Sequence, residues 1–298
     1  MGRIGFVVLT HSHPKQVERL LDRLALLYDS PPVSVHHDFG KCALPISLNS
    51  HVRIVRPHFN TAWGTASLVR AVFAGILSLY DRSDSPDWFV LLSGSDYPIK
   101  NSDAVVSDLE AGGCDVYIQQ ELIYPSGPKT AWHVLCRYRY VYSNLRLPLI
   151  GRLGLASKER LPLRPLFSPF SRRFRCYGGS QWFTANRSAA EQLLRWNEQH
   201  PQFLRYCEDR PCVDEMFFHT IFGNLKGLRK PSVSSIPNTF RCIDWTAGGR
   251  HPKELGIEDL PAIMASGAHF ARKFAPENPV LDAIDESLGI PKLRSRVG

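Results

Sequence analysis

The stretch WFVLLSGSDYPIK, residues 88–100, decides the fold, because a fully apolar strand leads directly into a polar turn that contains a carboxylate. A continuous apolar run bounded by turn residues is typical of a strand buried on both faces of a parallel α/β sheet. Gly94 allows a sharp turn, and Pro98 is expected to end the strand. Ligands bind beyond the carboxyl ends of such strands, so Ser95 and Asp96 are predicted to face a bound molecule. The alternative is that Asp96 only stabilises the local turn.

Strand and helix patterns alternate along the first 120 residues. Apolar runs predict strands over 4–9, 33–36, 52–55, 88–92 and 115–118, and leucine spacing predicts helices over 16–27, 68–80 and 103–110. The later chain adds a strand over 178–185 and helices over 188–198 and 211–222. This alternation predicts an α/β fold built on a doubly wound, Rossmann-like nucleotide-binding sheet with helices on both faces.

Composition and charge narrow the class of protein. The 298 residues are 44% hydrophobic and 21% charged, as in an ordinary globular protein. A formal net charge of +8 predicts an anionic partner such as a nucleoside diphosphate, a nucleic acid or an anionic membrane. No apolar run approaches the roughly 20 residues of a membrane-spanning helix, and no signal peptide is recognised, so a cytoplasmic location is expected.

Much of the positive charge lies in one segment, 145–175, where arginines and lysines are set among apolar residues. Such a segment is suited to peripheral contact with the anionic inner face of a membrane. The alternative is a loop that covers the acceptor side of a site. Because the basic residues concentrate here and no recognition motif is present, nucleic-acid binding is disfavoured.

The sequence contains no pattern for a metal or a cofactor. Seven cysteines are scattered without a Cys-x-x-Cys pair, which argues against a zinc site or a disulfide framework. The Asp-x-Asp pair that would hold a divalent ion between nucleotide phosphates is absent, and so are the Walker and Gly-x-Gly-x-x-Gly loops. We therefore expect neither a metal nor a cofactor.

Two adjacent carboxylates, Asp214 and Glu215, begin an apolar segment. At the rim of a pocket, burial would raise the pKa of Glu215 and suit it to act as a general base. The alternative is that Asp214 caps a helix and Glu215 complements the positive end of the helix dipole.

Arg241, Arg272 and Lys273 are cations placed among aromatic and apolar residues. A buried cation costs free energy unless an anion meets it, and a diphosphate would do so. The alternative is a set of salt bridges to nearby acids such as Asp244 or Glu277.

Five motifs occur in the order seen in one enzyme family. They are LLSGSDYPI at 91–99, GSQWF at 179–183, VDE at 213–215, RCIDW at 241–245 with GGRHP at 248–252, and HFARKF at 269–274. On these motifs the chain resembles the core-2/I-branching β-1,6-N-acetylglucosaminyltransferases and peptide O-xylosyltransferases, glycosyltransferase family 14. The resemblance extends from Val7 to about Phe274.

The resemblance implies a GT-A fold that transfers a sugar from a UDP-sugar with inversion and without a divalent metal. We expect one catalytic domain over 1–298, made of a UDP-sugar-binding half (1–120), a basic acceptor-side loop region (121–176), a catalytic half (177–275) and a C-terminal tail (276–298). N-acetylglucosamine is the favoured sugar, xylose is next, and the acceptor is a hydroxyl of a glycan or a lipid-linked saccharide. The alternative is a non-catalytic nucleotide- or carbohydrate-binding protein on the same fold, which needs no base.

The resemblance also assigns roles to residues. Glu215 matches the catalytic base, and Arg241 and Lys273 match two cations that replace the metal on the donor diphosphate. The uridine would be bound by Asp38 with Val8 or Thr10 nearby. The predicted pocket for the donor and acceptor sugars comprises Ser95, Asp96, Arg137, Arg139, Gln181, Trp182, Asp214 and Trp245.

Overall fold

The structure is a computed structural model. It describes residues 2–123, 168–208, 210, 212–225, 233–246, 248 and 251–290, and the backbone alone of 139–141 and 161–163. Arg137 and most of the basic segment 145–175 lie outside the described residues, and no side chain is described for Arg139.

Fourteen short and medium strands are present in the described residues. They are β1 Ile4–Thr10, β2 Val33–His37, β3 Val52–Ile54, β4 Trp88–Ser93, β5 Tyr97–Pro98, β6 Val116–Ile118, β7 Glu121–Leu122, β8 Arg139–Val141, β9 Leu161–Leu163, β10 Tyr177–Gly178, β11 Phe183–Asn186, β12 Ser235–Ile236, β13 Arg241–Ile243 and β14 Phe270–Arg272. Seven of them form the central sheet, in the order β12-β6-β11-β4-β1-β2-β3.

The pairing in this sheet is mixed. β1 runs parallel to β2 and β4, and β2 runs parallel to β3. β11 runs antiparallel to both β4 and β6. The predicted strand over 178–185 is therefore divided, because β10 pairs with β7 in a separate ribbon and only β11 enters the central sheet.

Helices cover both faces of the sheet, as predicted. They are α1 Pro14–Leu27, α2 Ala66–Tyr80, α3 Ser102–Ala111, α4 Arg187–Gln199, α5 Pro201–Cys207, α6 Phe217–Leu225, α7 Leu260–Ala265 and α8 Val280–Ser287. Alternate residues of β1 point to opposite faces, so Phe6 and Val8 pack with α1 and α3, whereas Val7 and Leu9 pack with α2, α4, α5 and α6. This alternation produces two hydrophobic cores, and the α/β prediction is confirmed.

A smaller sheet lies beside the carboxyl end of β4. Its order is β13-β14-β5, with β13 parallel and β5 antiparallel to β14. Pro98 was expected to end β4, yet it belongs to β5 and pairs with Phe270. The region 276–298 was expected to be a tail, but α8 lies within it and buries Val280 and Ile284 in a third core.

The loops that follow β1, β2 and β4 meet at one edge of the central sheet. The amide of Asp38 donates to the carbonyl of Thr10 at 2.9 Å, and the amide of Gly94 donates to the carbonyl of Leu9 at 3.1 Å. These bonds fix the loops after β2 and β4 to the end of β1. No described helix is long and apolar enough to cross a membrane.

Candidate active site

Asp96 is a buried acid in the turn after β4. Its Oδ2 accepts a hydrogen bond of 2.7 Å from the amide of Ser93 and a second from the Ser93 hydroxyl. The alternative role in the local turn is therefore present in the structure. Its Oδ1 points to two arginines, however, and forms no hydrogen bond. One carboxylate thus holds the turn and also faces a charged cluster.

Arg241 on β13 is the first of these arginines. Its side chain is completely buried and its Nε lies 3.9 Å from Asp96 Oδ1. Nη1 and Nη2 donate to the carbonyls of Thr239 and Leu91, both at 2.9 Å, but Nε has no hydrogen-bond partner. Burial lowers the pKa of Arg241 to about 10, which the charge of Asp96 opposes. The group therefore stays charged at neutral pH.

Arg272 on β14 is the second arginine. Its Nε lies 3.3 Å from Asp96 Oδ1, and its guanidinium lies 4.2 Å from the centre of the Trp182 ring. Burial lowers the pKa of Arg272, and Asp96 raises it. Nε again lacks a hydrogen-bond partner. The cluster of Asp96, Arg241 and Arg272 therefore carries one acid against two cations.

Lys273 follows Arg272 but turns to a different partner. Its Nζ lies 3.5 Å from Glu254 Oε1, and both side chains are partly exposed. The amide of Leu255 donates to the carbonyl of Lys273 at 2.9 Å, which joins this position to the third core. An exposed ion pair of this kind is weak, so the ammonium group can exchange partners at little cost.

Glu215 lies on a 3-10 turn, Val213–Glu215, immediately before α6. Its carbonyl accepts a hydrogen bond of 2.9 Å from the amide of Gly179, four residues before β11. A Cβ at position 179 would lie 2.4 Å from the carbonyl oxygen of Gln119, so only glycine allows this approach. The segment 179–182, which leads to β11 and contains Trp182, is thereby fixed to the turn bearing Glu215. Arg272 stacks on Trp182, so the cations and Glu215 belong to one connected region.

Asp214 is buried directly beside Glu215. Its Oδ1 has no hydrogen-bond partner. Desolvation and the neighbouring charge of Glu215 raise the pKa of Asp214 to about 7. Cys212 holds the N-cap position of the 3-10 turn, so Asp214 lies inside the turn and does not cap it. A protonated Asp214 avoids placing two negative charges side by side in a dry environment.

His219 supports the same region from α6. It is fully buried, and its Nε2 lies 2.9 Å from the carbonyl of Ser180. Burial lowers the pKa of His219 to about 4, so the ring is neutral and Nε2 donates to that carbonyl. The contact positions the segment that leads to Gln181, a half-buried residue of the predicted sugar pocket, and Trp182.

Asp38 lies at the end of β2, at the same sheet edge. Its Oδ2 accepts from the amide and the hydroxyl of Thr61 at 2.7 and 2.9 Å, and its Oδ1 accepts from the amide of Gly40 at 3.0 Å. Burial alone would raise its pKa, but the hydrogen bonds from Thr61 and Gly40 outweigh burial and lower it. Asp38 is therefore ionised and stabilises the loops at the carboxyl edge.

The other residues predicted near the uridine lie in the core. Val8 is fully buried on β1 between β2 and β4. Thr10 ends β1, and its hydroxyl lies 2.8 Å from Nδ1 of His37. Of the predicted sugar-pocket residues, Ser95 is half-buried beside Asp96, whereas Trp245 is exposed in the loop after β13.

The chain matches a known enzyme family over most of its length. The sequence profile of the Core-2/I-Branching enzymes matches residues 6–264, which include Asp96, Glu215 and Arg241 and most of the central sheet. The chain belongs to the core-2/I-branching enzyme family. Membership and the observed Rossmann-like sheet agree with the GT-A type of fold that the resemblance predicts.

Curated relatives of this core-2/I-branching chain are named for two sugars. It is 26% identical over 249 residues to beta-glucuronosyltransferase GlcAT14A of Arabidopsis thaliana, covering 81% of this chain and 51% of that protein. It is 25% identical over 330 residues to xylosyltransferase 1 of Homo sapiens, covering 98% of this chain and 32% of that protein. The chain thus spans about half the length of the plant relative and about a third of the human one.

A comparison with solved structures finds a likeness to the galactosyltransferase LgtC, crystallised in complex with donor and acceptor sugar analogs. The likeness covers 97% of this chain and 98% of that one, with a TM-score of 0.37 and 12% identity. Within the described part of this core-2/I-branching chain, no group of three or more His, Cys, Asp or Glu residues could hold a metal ion.

Some residues of the site were not predicted. Thr61, in the loop between β3 and α2, bonds to Asp38 at the sheet edge, and Trp63 in the same loop contacts His251; no local pattern marks either residue. The sequence indicated Arg272 as a cation among apolar residues, but the resemblance assigned Arg241 and Lys273 to the diphosphate. Trp182 could have indicated a contact with Arg272, because guanidinium groups stack on indole rings.

Proposed function

We propose that this core-2/I-branching chain is an inverting glycosyltransferase that uses a UDP-sugar and needs no divalent metal. Glu215 is the general base, and Arg241 with Lys273 stabilises the leaving diphosphate. The acceptor is a hydroxyl of a glycan or a lipid-linked saccharide. Family membership supports sugar transfer as the reaction class.

The observation that carries this proposal is the excess of positive charge around Asp96. Arg241 and Arg272 both turn Nε to Asp96 Oδ1 without forming a hydrogen bond to it. Buried N–H groups without partners are costly, so they mark a place where acceptor oxygens belong. A diphosphate provides such oxygens and the negative charge that a lone carboxylate cannot supply in full.

The chemistry is a single displacement. The acceptor hydroxyl oxygen forms a bond to the anomeric carbon while the bond from that carbon to the diphosphate oxygen breaks. The hydroxyl proton passes to the carboxylate of Glu215, and the electron pair of the broken bond stays on UDP. Fixed cations near the diphosphate stabilise that charge in a site with little water. Lys273 can turn from Glu254 towards the phosphates, because its ion pair is partly exposed.

The sugar is proposed among three candidates. The resemblance favours N-acetylglucosamine and then xylose, while the relatives in the comparison are named for glucuronic acid and xylose. Xylose is common to both sets. A glucuronyl donor brings a second carboxylate, and the net positive charge of the cluster around Asp96 would favour that ligand electrostatically.

The test is release of UDP from UDP-N-acetylglucosamine, UDP-xylose and UDP-glucuronate by the purified chain, with and without EDTA. Mixed oligosaccharides serve as acceptors. Release from one donor that continues in EDTA supports the proposal and identifies the sugar. Loss of release in EDTA contradicts the cation-based mechanism. UDP binding without release from any donor favours the alternative of a non-catalytic nucleotide-binding protein.

A further inference from the structure

Trp63 is an exposed aromatic side chain beside the proposed catalytic turn. It exposes 55% of its surface in the loop between β3 and α2. Tryptophan is usually highly buried because its ring offers a large apolar area. The residue takes no part in the displacement described above, so its exposed ring is available to bind a ligand.

The backbone around Trp63 is held on both sides. Upstream, the amide and hydroxyl of Thr61 donate to Asp38 at 2.7 and 2.9 Å. Downstream, the carbonyl of Gly64 accepts from the amide of Val213 at 3.2 Å. Gly64 has a φ of 69°, and a Cβ there would lie 3.1 Å from the amide nitrogen of Cys212. Such a fixed loop presents the indole with little entropy left to lose on binding.

The loop of Trp63 is joined to the turn that bears Glu215. Its neighbour Gly64 bonds to Val213, two residues before Glu215, whereas Arg241 and Arg272 lie on β13 and β14. In an inverting displacement the acceptor approaches opposite the leaving diphosphate, and its hydroxyl lies against the base. A side chain joined to the turn of Glu215 therefore belongs to the acceptor side.

His251 provides a polar group next to the indole. Its ring centre lies 5.8 Å from that of Trp63, with the two planes at 71°. His251 is part of the loop after β13, which is closed where the amide of Lys253 donates to the carbonyl of Asp244 at 2.8 Å. Two loops from different strands thus meet at an exposed apolar face with a hydrogen-bonding edge, the combination that sugar rings require.

We propose that Trp63, with His251 beside it, is a stacking platform for a pyranose ring of the acceptor saccharide. The C–H face of the ring packs on the indole, and a ring hydroxyl bonds to the imidazole. This inference rests on the transferase function proposed above and adds the subsite that receives the acceptor.

The experiment uses saturation-transfer NMR with the complete chain. The probes are methyl β-D-galactopyranoside and methyl β-D-xylopyranoside, each recorded with and without UDP. The variants are Trp63→Ala, Trp63→Phe and Leu26→Ala, the last as a control because Leu26 is equally exposed but lies on α1, remote in sequence from both loops. Thermal unfolding confirms that each variant is folded.

The platform predicts a glycoside signal in the wild type that falls about tenfold in Trp63→Ala. Trp63→Phe and Leu26→Ala should keep most of it, and the UDP signal should not change in any variant. An unchanged glycoside signal in Trp63→Ala, no glycoside signal in the wild type, or a parallel loss of UDP would overturn the platform. Absence of UDP binding in the wild type overturns the proposed transferase instead, and the platform is then judged from the glycoside spectra recorded without UDP.

Discussion

Asp96 Oδ1 lies 3.3 Å from Nε of Arg272, where little solvent reaches either side chain. Arg241, on the neighbouring strand β13 of the small sheet, faces the same oxygen at 3.9 Å. The carboxylate therefore offsets the repulsion between two guanidinium groups and leaves one positive charge in excess. This excess positive charge, which the packing of the small sheet produces, is suited to binding an anion.

Replacing Asp96 tests this balance. Asp96→Asn should lower the free energy of unfolding by about 3 kcal/mol, because two buried cations lose their shared counter-charge. Urea unfolding measures the change. Asp103→Asn is the control, since Asp103 is an exposed acid in the first turn of α3. Equal midpoints for the two variants would show that Asp96 does not stabilise the arginines.

Glu215→Gln tests the base. The amide cannot accept the acceptor proton, so turnover should fall about 10²–10⁴-fold while UDP affinity stays nearly the same. Steady-state rates with the active donor and titration with UDP measure the two effects. Glu110→Gln, at an exposed acid on α3, should behave like the wild type. Near-normal turnover of Glu215→Gln would end its assignment as the base.

Loss of a cation at the diphosphate should weaken the binding of UDP more than the binding of uridine. Lys273→Ala and Arg241→Ala are each expected to weaken UDP binding about tenfold or more and uridine binding little, because only UDP carries the charged groups. Calorimetric titration measures both ligands. Lys273→Ala is the cleaner variant, since Arg241 also bonds to Leu91 and Thr239. Lys15→Ala is an exposed control, and equal losses for UDP and uridine would contradict the diphosphate role.

Asp214 predicts a pH dependence of stability. Its pKa is raised to about 7 in the folded chain, mainly by burial and also by Glu215. The folded state therefore binds this proton more tightly than the unfolded state. The associated stability is complete below about pH 4 and is lost as pH rises to about 7, an effect on the order of 4 kcal/mol.

Comparison of the wild type with Asp214→Asn isolates that effect. The difference in unfolding free energy between the two proteins should change between pH 4.5 and pH 7.5, roughly the interval between the two pKa values, and should level off above it. Urea unfolding at a series of pH values provides the measurement. A constant difference across this interval would mean that Asp214 ionises normally in the folded protein.

Local patterns predicted most helices and strands of the first 120 residues. α2 was expected over 68–80 and is found at Ala66–Tyr80, and α3 was expected over 103–110 and is found at Ser102–Ala111. Period and capping act over a few residues, so the sequence shows them directly. The helix expected over 211–222 was less accurate, because the chain forms a 3-10 turn before α6 begins at Phe217.

Strand partners and long-range contacts could not be predicted in the same way. β11 has the apolar pattern of any buried strand, and its antiparallel insertion between β4 and β6 is decided by packing. Similarly, Asp38 and Thr61 are separated by 23 residues, and Gly64 and Val213 by far more. Nothing in the local pattern at Trp63 indicates that it lies beside the turn of Glu215.

The α/β class and the family were recognisable in the sequence, and Glu215, Asp96 and the cations were candidates from the sequence, because hydrophobic period and short motifs are local properties. The pairing of Arg272 and Arg241 with Asp96, the contact of Lys273 with Glu254, and the burial of Asp214 with an unpartnered Oδ1 follow from the three-dimensional structure alone. The physical reason is that burial and charge pairing depend on which distant segments come together. Those contacts determine the electrostatics of the site.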